Sequence, residues 1–574
     1  MMRNSISTRI ANGILMLLCF KEDISFRLSL SNTENVQRSR LLKMIGKNRN
    51  TIYGKKYGFN RISSILDFQK NVPITAFEDY IPYISLIENG AKNVLTTSNP
   101  HNIVPTSGST SASKSIPYTA DLKNDFISGI YPWIFNLFMN NMGLLGGKHY
   151  WSITPAGRGV NKKQKAPLSG FEDDSEYLGA AGKVICRHLF AVPNEVALIK
   201  DIDSFRYVTL LFLCAEGNLS FVSIWNPTFL ILLMDKLDLY RDSIISDIRN
   251  GSINAPGNID AGLKRSLGKK IIKDPVRADY LERISQQDSN RSLMRSGKKI
   301  WPRLSVISCW TEGNSAIYAE QLQRLFPEVK IEGKGLLATE AIVTFPYSGK
   351  EGCILSLRSH FFEFLEVEDQ KDRGKIKLSH QLKIGEKYSV IVTTSGGLYR
   401  YRMFDIVEVV GFEKGCPRLK FIGKEEVVSD LFGEKVNALH VASILGKLFN
   451  EHSFIPSFLL VAPETDNASG ISYYVLFIDP GDHDGKITDD LLKKLIIDFE
   501  KELSENYNYS YCRKLGQLSE ARLFLVKTGS GKEAYNSACL AKGIKFGNIK
   551  SSFLDRSGGW SRAFDGRYLL YSRT

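Results

Sequence analysis

The sequence predicts an α/β protein with a large, layered N-terminal domain and a small α+β C-terminal domain. Strand-like and helical patterns alternate along the middle of the chain, which is typical of a layered α/β domain. The sequence changes character after Phe421-Ile422-Gly423-Lys424. Its 574 residues, 43% of them hydrophobic, are enough for at least two domains. We therefore expect domains at residues 1–422 and 423–574.

The first part of the chain is predicted to be mostly helical. Residues near 1–30 are expected to form a packed helix, and apolar residues at helical spacing predict another helix over residues 35–53. Residues 94–97 are predicted to form a short strand. The mostly apolar stretch from Asp121 to Met142 predicts a long, largely buried helix.

The middle of the chain alternates apolar runs with helix-like stretches. Residues 207–215 and 219–225 are nearly continuous apolar runs, which suit strands or helices buried in a layered core. Asn226-Pro227-Thr228 predicts the start of a helix, because proline is favoured in the first turn. The other predicted elements are strands at residues 149–154, 304–309, 329–331, 458–461, 472–478 and 520–526, and helices at 229–239, 315–326 and 491–503.

Charge and cysteine usage narrow the class of protein. The formal net charge is +14, but the basic residues are scattered, which favours anionic small molecules over nucleic acid or an anionic membrane surface. The apolar run Ile14–Phe20 is too short for a signal peptide, and no stretch approaches the roughly 20 apolar residues of a membrane span. The eight cysteines form no CxxC pair and suit a reducing cytosol. We expect a cytoplasmic protein with no nucleic-acid partner and no membrane insertion; its oligomeric state is not indicated.

Hydroxyl side chains crowd the loop from Pro105 to Thr119, PTSGSTSASKSIPYT. Small residues leave backbone N–H groups accessible, and the hydroxyls and the ammonium of Lys114 can donate to phosphate oxygens. The pattern therefore predicts a phosphate cradle. A flexible Ser/Gly-rich linker has the same composition and is the alternative interpretation.

Two further stretches carry groups suited to a nucleotide. In GKGLLATE, residues 333–340, two glycines allow close approach of the backbone, and a hydroxyl stands beside a carboxylate that could hold magnesium. In TTSGGLYRYRMFDIVEVVGF, residues 393–412, Asp405 precedes an apolar strand, where a carboxylate can accept hydrogen bonds from ribose hydroxyls. A glycine turn and a two-stranded meander with surface charges are the respective alternatives.

Taken in this order, the three stretches resemble the Gretchen Hagen 3, or auxin-responsive promoter, family of acyl-acid amido synthetases. This family belongs to the wider acyl-adenylate-forming class. Further segments that resemble family landmarks are Val72-Pro73-Ile74, Trp225 to Phe229, Ile307 to Trp310, His360 to Phe364 and Gly433-Glu434-Lys435. The resemblance covers roughly residues 35–555 and is closest to the bacterial branch.

The resemblance implies an ATP-dependent ligase that uses Mg²⁺. Such an enzyme adenylates a small carboxylic acid and transfers the acyl group to an amine, in plant members an amino acid. It implies that Glu340 holds magnesium, that Thr339 binds the α-phosphate, and that Asp405 binds the ribose. The other implied ATP-binding residues are Thr106, Ser107, Gly108, Ser109, Thr110, Lys114, Ala338, Tyr401, Arg402 and Lys424.

The resemblance also implies a moving C-terminal domain. Residues 423–432 correspond to a hinge on which this domain swings between half-reactions. Lys550 is the candidate catalytic lysine that closure delivers to the acyl carboxylate and α-phosphate; a surface lysine is the alternative. The acid pocket is expected to draw on residues 121–133 and 223–229 and on Trp310.

Five sites depart from the family pattern, among them Ala438, where a carboxylate is usual, and Ser551, where proline is more common. Lys424 replaces a more common arginine, Ala338-Thr339 replace two serines, and Met403-Phe404 stand where a glycine is usual. They leave open a second hypothesis, a catalytically degenerate homologue that binds nucleotide or acid without turnover. A third is an adenylate-forming enzyme with a different acceptor.

Overall fold

The structure is a computed structural model. It describes residues 2–105, 114–151, 185, 188–287, 293, 297–367, 375–425, 428–452, 455–466, 470–481, 487–542, 544, 549–550 and 552–569. The chain forms two compact units. The first comprises Met1–Thr311 and Leu322–Phe421, and the second comprises Glu312–Gln321 and Ile422–Thr574.

Five helices open the first unit: α1 (Met2–Ser29), α2 (Thr33–Asn48), α3 (Ile52–Lys56), α4 (Ile65–Asn71) and α5 (Ile81–Glu88). The single helix predicted over residues 35–53 is divided, because the Thr51 hydroxyl accepts from the Gly54 N–H at 2.9 Å and starts a new helix. Gln37 of α2 reaches far along the chain. Its amide donates to the Leu357 and His360 carbonyls at 2.6 and 2.8 Å.

The strand predicted at residues 94–97 is wrong. The carbonyl of Val94 accepts from the Tyr53 N–H at 3.0 Å, and that of Leu95 accepts from the Tyr399 hydroxyl at 2.7 Å. These backbone groups serve a helix start and a side chain instead of a neighbouring strand. The strand that leads into the hydroxyl-rich loop is β1 (Asn102–Pro105), which pairs antiparallel with β2 (Ser115–Tyr118).

A four-stranded parallel sheet forms one layer of this unit. Its strands are β3 (Lys148–Trp151), β4 (Leu219–Ser223), β5 (Val306–Cys309) and β6 (Lys330–Gly333), paired in that order. Every residue of β4 and β5 is buried, which explains why only small serines interrupt their apolar sequence. The helices between these strands and before β3 are α6 (Ala120–Asn140), α7 (Ile202–Ala215), α8 (Pro227–Asn250), α9 (Ala261–Gly268), α10 (Pro275–Gln286), α11 (Gly297–Ile300) and α12 (Ala316–Leu325).

Of the two apolar runs for which the sequence allowed a strand or a helix, residues 207–215 form part of helix α7. Its residues are buried almost throughout, so the sequence shows no polar face from which to read a period. Helix α8 begins as predicted: the Asn226 side chain accepts from the Thr228 N–H at 3.0 Å, and Pro227 follows at the first turn. Gly251 ends α8 at a φ of 72°, in the left-handed region.

A seven-stranded sheet completes the first unit. Its strands are β7 (Thr344–Phe345), β8 (Cys353–Leu355), β9 (Phe361–Glu366), β10 (Ile376–Leu378), β11 (Lys387–Thr393), β12 (Tyr401–Glu413) and β13 (Cys416–Lys424), in the order β10-β9-β11-β12-β13-β8-β7. The sheet is largely antiparallel. It carries the third motif on β12.

The second unit is an α+β domain with its own apolar core. A short hairpin joins β14 (Val428–Ser429) and β15 (Val436–Asn437). Strands β16 (Phe458–Thr465), β17 (Ser472–Asp479), β18 (Arg522–Val526) and β19 (Gly566–Tyr568) form a sheet in that order. Its helices are α13 (Ala438–Glu451), α14 (Asp489–Leu503), α15 (Tyr507–Lys514) and α16 (Gly531–Ala541). The predicted fold class is confirmed.

Candidate active site

Strands β1 and β2 flank the stretch predicted to be the hydroxyl-rich loop. Pro105 pairs with Ser115, so the loop leaves and returns at adjacent points. The phosphate-binding candidates Thr106, Ser107, Gly108, Ser109 and Thr110 lie outside the described residues. Lys114, at the end of the loop, is described and half-buried.

Two hydrogen bonds bring the three predicted motifs together. The Tyr118 hydroxyl, at the end of β2, donates to the Thr339 carbonyl at 2.9 Å. The Lys114 ammonium donates to the Tyr401 hydroxyl at 3.5 Å and lies 5.9 Å from the centre of the Phe77 ring. The hairpin that carries the loop therefore contacts both the GKGLLATE segment and β12.

The segment that carries Thr339 and Glu340 is a turn, and a buried histidine accepts a hydrogen bond from its backbone. Leu337 and Ile342 form an antiparallel bridge across the turn. The Ile342 N–H donates to Nε2 of buried His360 at 3.2 Å, so the proton of the neutral ring is on Nδ1. That Nδ1 is 3.5 Å from an Asp125 oxygen, and the same Asp125 oxygen accepts from the Ser395 N–H at 3.1 Å. Burial lowers the pKa of His360 well below its usual value and keeps the ring neutral.

Ala338, Thr339 and Glu340 remain partly exposed at the top of this turn. A carboxylate that reaches solvent beside a hydroxyl fits a magnesium ion shared with phosphates, because that ion is usually held by one or two carboxylates together with substrate oxygens. The glycines of this segment were expected to let the backbone approach a ligand, but Gly335 has a different role. Its φ is 72°, and a Cβ there would lie 2.6 Å from the Thr344 carbonyl oxygen, so this glycine serves packing against β7.

A bulge in β12 presents the third motif. Between the pairs Arg402–Ile391 and Ile406–Ser389, three residues of β12 face the single Val390 of β11. The bulge contains the unusual Met403-Phe404 and ends at Asp405. Phe404 has a φ of 59°, and the Arg402 guanidinium lies 4.9 Å from the centre of its ring. Bulges commonly re-aim side chains next to active sites, and Asp405 is buried at this one.

Arg400, which precedes the bulge, anchors this region. Its guanidinium makes a bidentate, buried ion pair with Glu363 of β9 at 2.9 and 3.0 Å and donates to the Val72 carbonyl at 2.8 Å. Thr75 adds a short parallel bridge: its N–H donates to the Arg400 carbonyl at 3.0 Å, and its carbonyl accepts from the Arg402 N–H at 2.9 Å. Glu363 lies in a segment that the sequence analysis noted without assigning a role.

A second cluster lies where the parallel strands end. Lys334 directly follows β6, and its side chain is buried. Its ammonium donates to the Ser223 hydroxyl at 2.6 Å, at the end of β4. It also lies 5.1 and 5.0 Å from the ring centres of Trp133 and Trp225, and the Trp225 ring lies 5.6 Å from that of Trp310. Two of the stretches expected to form the acid pocket therefore meet at Lys334, and the third, Trp310, joins them through the ring of Trp225. The sequence assigned no role to Lys334.

The C-terminal candidates lie in the second unit. Lys424 ends β13 and is partly exposed, and Lys550 is exposed with its carbonyl accepting from the Tyr535 hydroxyl at 3.1 Å. Near the end of the expected hinge, the backbone of Leu431 and Phe432 is hydrogen-bonded to the buried Glu434 side chain. Its carboxylate accepts from the Leu431 N–H at 2.8 Å and from the Tyr474 hydroxyl at 2.6 Å.

Two protein-family models match this chain. The model of the GH3 family N-terminal domain matches residues 24–331, more than half of the chain. The chain belongs to the GH3 family. The model of the GH3 family central domain matches residues 353–424 and so includes the ion pair of Arg400 and the bulge of β12. The predicted resemblance is confirmed at the level of the family.

Curated relatives of this GH3 chain include acid-amido synthetases from Arabidopsis thaliana. A putative indole-3-acetic acid-amido synthetase is 25% identical over 91% of this chain and 91% of that protein. A 4-substituted benzoates-glutamate ligase is 24% identical over 92% and 94% of the two chains.

Solved structures agree on the fold of this GH3 chain. An acyl acid amido synthetase in complex with 2,4-DB shares 21% identity, covers 94% of this chain and 95% of its own, and gives a TM-score of 0.80. A 2-hydroxyisobutyryl-CoA ligase in the postadenylation state is 11% identical over 86% of each chain, with a TM-score of 0.50. The predicted adenylate-forming architecture is therefore confirmed.

Proposed function

We propose that the protein is an ATP-dependent ligase that adenylates a carboxylic acid and transfers the acyl group to the amine of an amino acid. The observation that carries this is the meeting of three distant segments through the bonds Tyr118–Thr339 and Lys114–Tyr401. Family membership and the amido synthetase relatives support the same reaction. A cytoplasmic location is part of the proposal, supported by the seven described cysteines, all free thiols.

In the first half-reaction, a carboxylate oxygen of the acid attacks the α-phosphorus of ATP, and the bond from that phosphorus to the β-phosphate oxygen breaks. Pyrophosphate leaves and an acyl-adenylate remains. Protein groups act by positioning and by neutralising the charge that builds on the phosphates. In this proposal, Thr339 binds the α-phosphate, Asp405 and Lys424 bind the ribose side, and Ala338, Tyr401 and Arg402 lie near the nucleoside.

The triphosphate is held by the hairpin loop and by Lys114. The loop donors are Thr106, Ser107, Ser109, Thr110 and the backbone around Gly108. Glu340 holds the magnesium ion, which screens the charge of the phosphates and of the departing pyrophosphate. The partly exposed turn on which Glu340 lies supports this assignment, because an ion shared with ATP must be reached from solvent.

In the second half-reaction, the amine nitrogen attacks the acyl carbonyl, the bond to the adenylate oxygen breaks, and AMP leaves as the nitrogen gives up a proton. The second unit is proposed to move between the two steps, with Lys550 neutralising charge during adenylation. The pairing of β14 with β15 and the bonds of Glu434 hold the residues from Val428 onward, so we place the rotation in the part of the hinge that precedes β14.

The acid is proposed to be aromatic. Trp133 and Trp225 flank the Lys334 ammonium beyond the carboxyl ends of the parallel strands, where open α/β sheets bind ligands, and Trp310 packs against the ring of Trp225. Flat rings offer a large apolar surface, and a fixed ammonium attracts an acidic or polar substituent. Relatives named for indole-3-acetic acid and substituted benzoates support an aromatic acid.

Acid-dependent release of pyrophosphate from ATP tests the reaction. A panel of aromatic and aliphatic acids is assayed with and without amino acids, and the amide product is identified by mass. We expect pyrophosphate with aromatic acids and amide only when an amino acid is added. Bound ATP without pyrophosphate for any acid would instead establish a degenerate homologue. Pyrophosphate and acyl-adenylate without amide would establish a different acceptor.

A further inference from the structure

Helix α1 is apolar on two opposite faces. One face packs in the first unit and buries Leu15, Cys19 and Phe26. The other face carries seven large apolar side chains, each at least 40% exposed. At about 100° per residue these seven side chains fall within an arc of roughly 120°. They form the outer stripe: Ile6, Ile10, Ile14, Leu17, Phe20, Ile24 and Leu28.

Only cations and one serine accompany the outer stripe. Between Ile6 and Leu28, the other exposed residues of α1 are Ser7, Arg9, Lys21 and Arg27. By the same helical spacing, Arg9 and Arg27 border one edge of the stripe, and Lys21 lies within the stripe. The two acidic residues of this span, Glu22 and Asp23, do not belong to the stripe.

Both acidic residues of that span face protein groups. Asp23 is buried and pairs with Arg27 at 2.7 Å. Glu22 lies 3.4 Å from Arg358. The outward surface of α1 is therefore apolar with Lys21 in it and arginines along one edge, and the nearest carboxylate, that of Glu22, is only 26% exposed.

A cleft with two guanidinium groups opens beside the stripe. Its lining includes Arg9, Gly13, Met142, Gly146 and Arg303. The Arg303 side chain donates to the Gly146 carbonyl at 3.3 Å, and a Cβ on Gly146 would lie 3.1 Å from Arg303 and 3.8 Å from Arg9. Two arginines thus converge at one edge of an apolar surface, which suits a phosphate attached to an apolar body.

We propose that α1 docks this protein on the surface of an anionic lipid bilayer, a partner that the scattered basic residues of the sequence did not predict. The outer stripe enters the boundary between headgroups and acyl chains, while Arg9, Lys21, Arg27 and Arg303 contact lipid phosphates. A second copy of the chain is a poorer occupant of this face. Two stripes packed together would enclose the Lys21 ammonium of each copy in the apolar contact, and the stripe carries no carboxylate to pair with it. The proposal does not depend on the ligase reaction.

Flotation of the full chain with lipid vesicles tests this docking. Vesicles of phosphatidylcholine are compared with vesicles that also contain phosphatidylglycerol, at low and at high salt. We expect binding to the anionic vesicles that is at least about tenfold stronger than to neutral ones and that weakens as salt is added.

Two surface variants separate the apolar and basic contributions. Ile10→Gln/Leu17→Gln/Leu28→Gln removes apolar contacts, and Arg9→Gln/Lys21→Gln removes charge; each should weaken vesicle binding by about tenfold or more. Leu66→Gln/Ile272→Gln is the matched control, since both side chains are 76% exposed elsewhere, and it should bind as the original chain does. Unfolding midpoints of all the variants establish that they are folded.

Two results would overturn the proposal. One is the absence of flotation with anionic vesicles at low salt. The other is a concentration-dependent dimer in analytical ultracentrifugation that the triple glutamine variant abolishes while vesicles fail to dissociate it, which would assign the stripe to a second copy.

Discussion

The Tyr118 hydroxyl donates a hydrogen bond to the Thr339 carbonyl at 2.9 Å and joins two segments more than 200 residues apart in sequence. One end of this bond belongs to the hairpin that carries the hydroxyl-rich loop. The other belongs to the turn that carries Glu340. The bond thereby joins the two segments to which we assign the phosphates and the magnesium ion in the proposed reaction.

Tyr118→Phe should remove this bond without disturbing the core. A neutral hydrogen bond contributes about 0.5–1.5 kcal/mol, so we expect the KM for ATP to rise roughly two- to tenfold. Tyr507→Phe is the control, because Tyr507 is 77% exposed in the second unit. Initial rates of pyrophosphate release at varied ATP measure both. An unchanged KM in Tyr118→Phe would show that the turn is held without this bond.

Glu340→Gln should affect the metal specifically. The amide keeps the shape of the side chain but loses its charge, so pyrophosphate release should fall by about a hundredfold or more, and higher Mg²⁺ should restore part of it. Glu328→Gln alters an exposed carboxylate on the same stretch of chain and should leave the rate unchanged. Equal Mg²⁺ dependence in the two variants would remove Glu340 from the magnesium site.

Lys334→Met should raise the KM for the acid and leave the KM for ATP nearly unchanged. Methionine keeps most of the apolar volume between Trp133 and Trp225 but removes the ammonium. We expect the KM for the acid to rise about tenfold with little change in the KM for ATP. Lys330→Met, on the preceding strand with a 45% exposed side chain, is the control. Equal changes in both KM values would indicate a structural role for Lys334.

Buried histidines should make stability fall in weak acid. Burial lowers the pKa of His360 well below 6.5 and that of His149 to about 4. Below about pH 6.5 the unfolded chain binds protons that the folded chain excludes, so the free energy of unfolding decreases as pH falls, by up to about 1.4 kcal/mol per unit for each histidine.

His360→Asn should flatten this pH dependence. Urea midpoints at pH 7, 6 and 5 should fall less steeply in the variant than in the original chain, and His101→Asn should follow the original chain because His101 is exposed. Identical slopes in all three proteins would mean that His360 is protonated in the folded state.

Lys550→Ala should slow adenylation while the protein stays folded. Removal of a charge that stabilises the transition state is expected to reduce pyrophosphate release by about a hundredfold. Lys527→Ala, another exposed lysine of the second unit with a 70% exposed side chain, should have no such effect. Unchanged release in Lys550→Ala would leave it as a surface residue.

Local patterns predicted most elements of the fold and the three motifs, because periodicity and turn residues act over a few positions. They could not predict what distant residues do to one another. Lys334 follows a strand, but nothing nearby in sequence indicates that Trp133 and Trp225 will flank it. The apolar run at residues 207–215 is buried on all sides, so no period could distinguish a helix from a strand.

The bulge of β12 illustrates the same limit. Met403-Phe404 stood out in the sequence as bulky residues at a position where glycine is usual. Only the pairing with β11 explains how they fit, as members of a three-residue bulge that ends at Asp405. The ion pair of Arg400 could not be predicted from the sequence either, because its partner Glu363 lies 37 residues earlier on another strand.

The bonds of Gln37 and Thr75 have a consequence for how the protein is made. Gln37 binds the carbonyl of His360, and Thr75 binds the backbone on both sides of Tyr401. A ribosome adding about 5–20 residues per second needs tens of seconds to travel from one partner to the other. Until then the emerging chain lacks these contacts of the proposed nucleotide site, so we expect that shortened translation products do not sequester ATP.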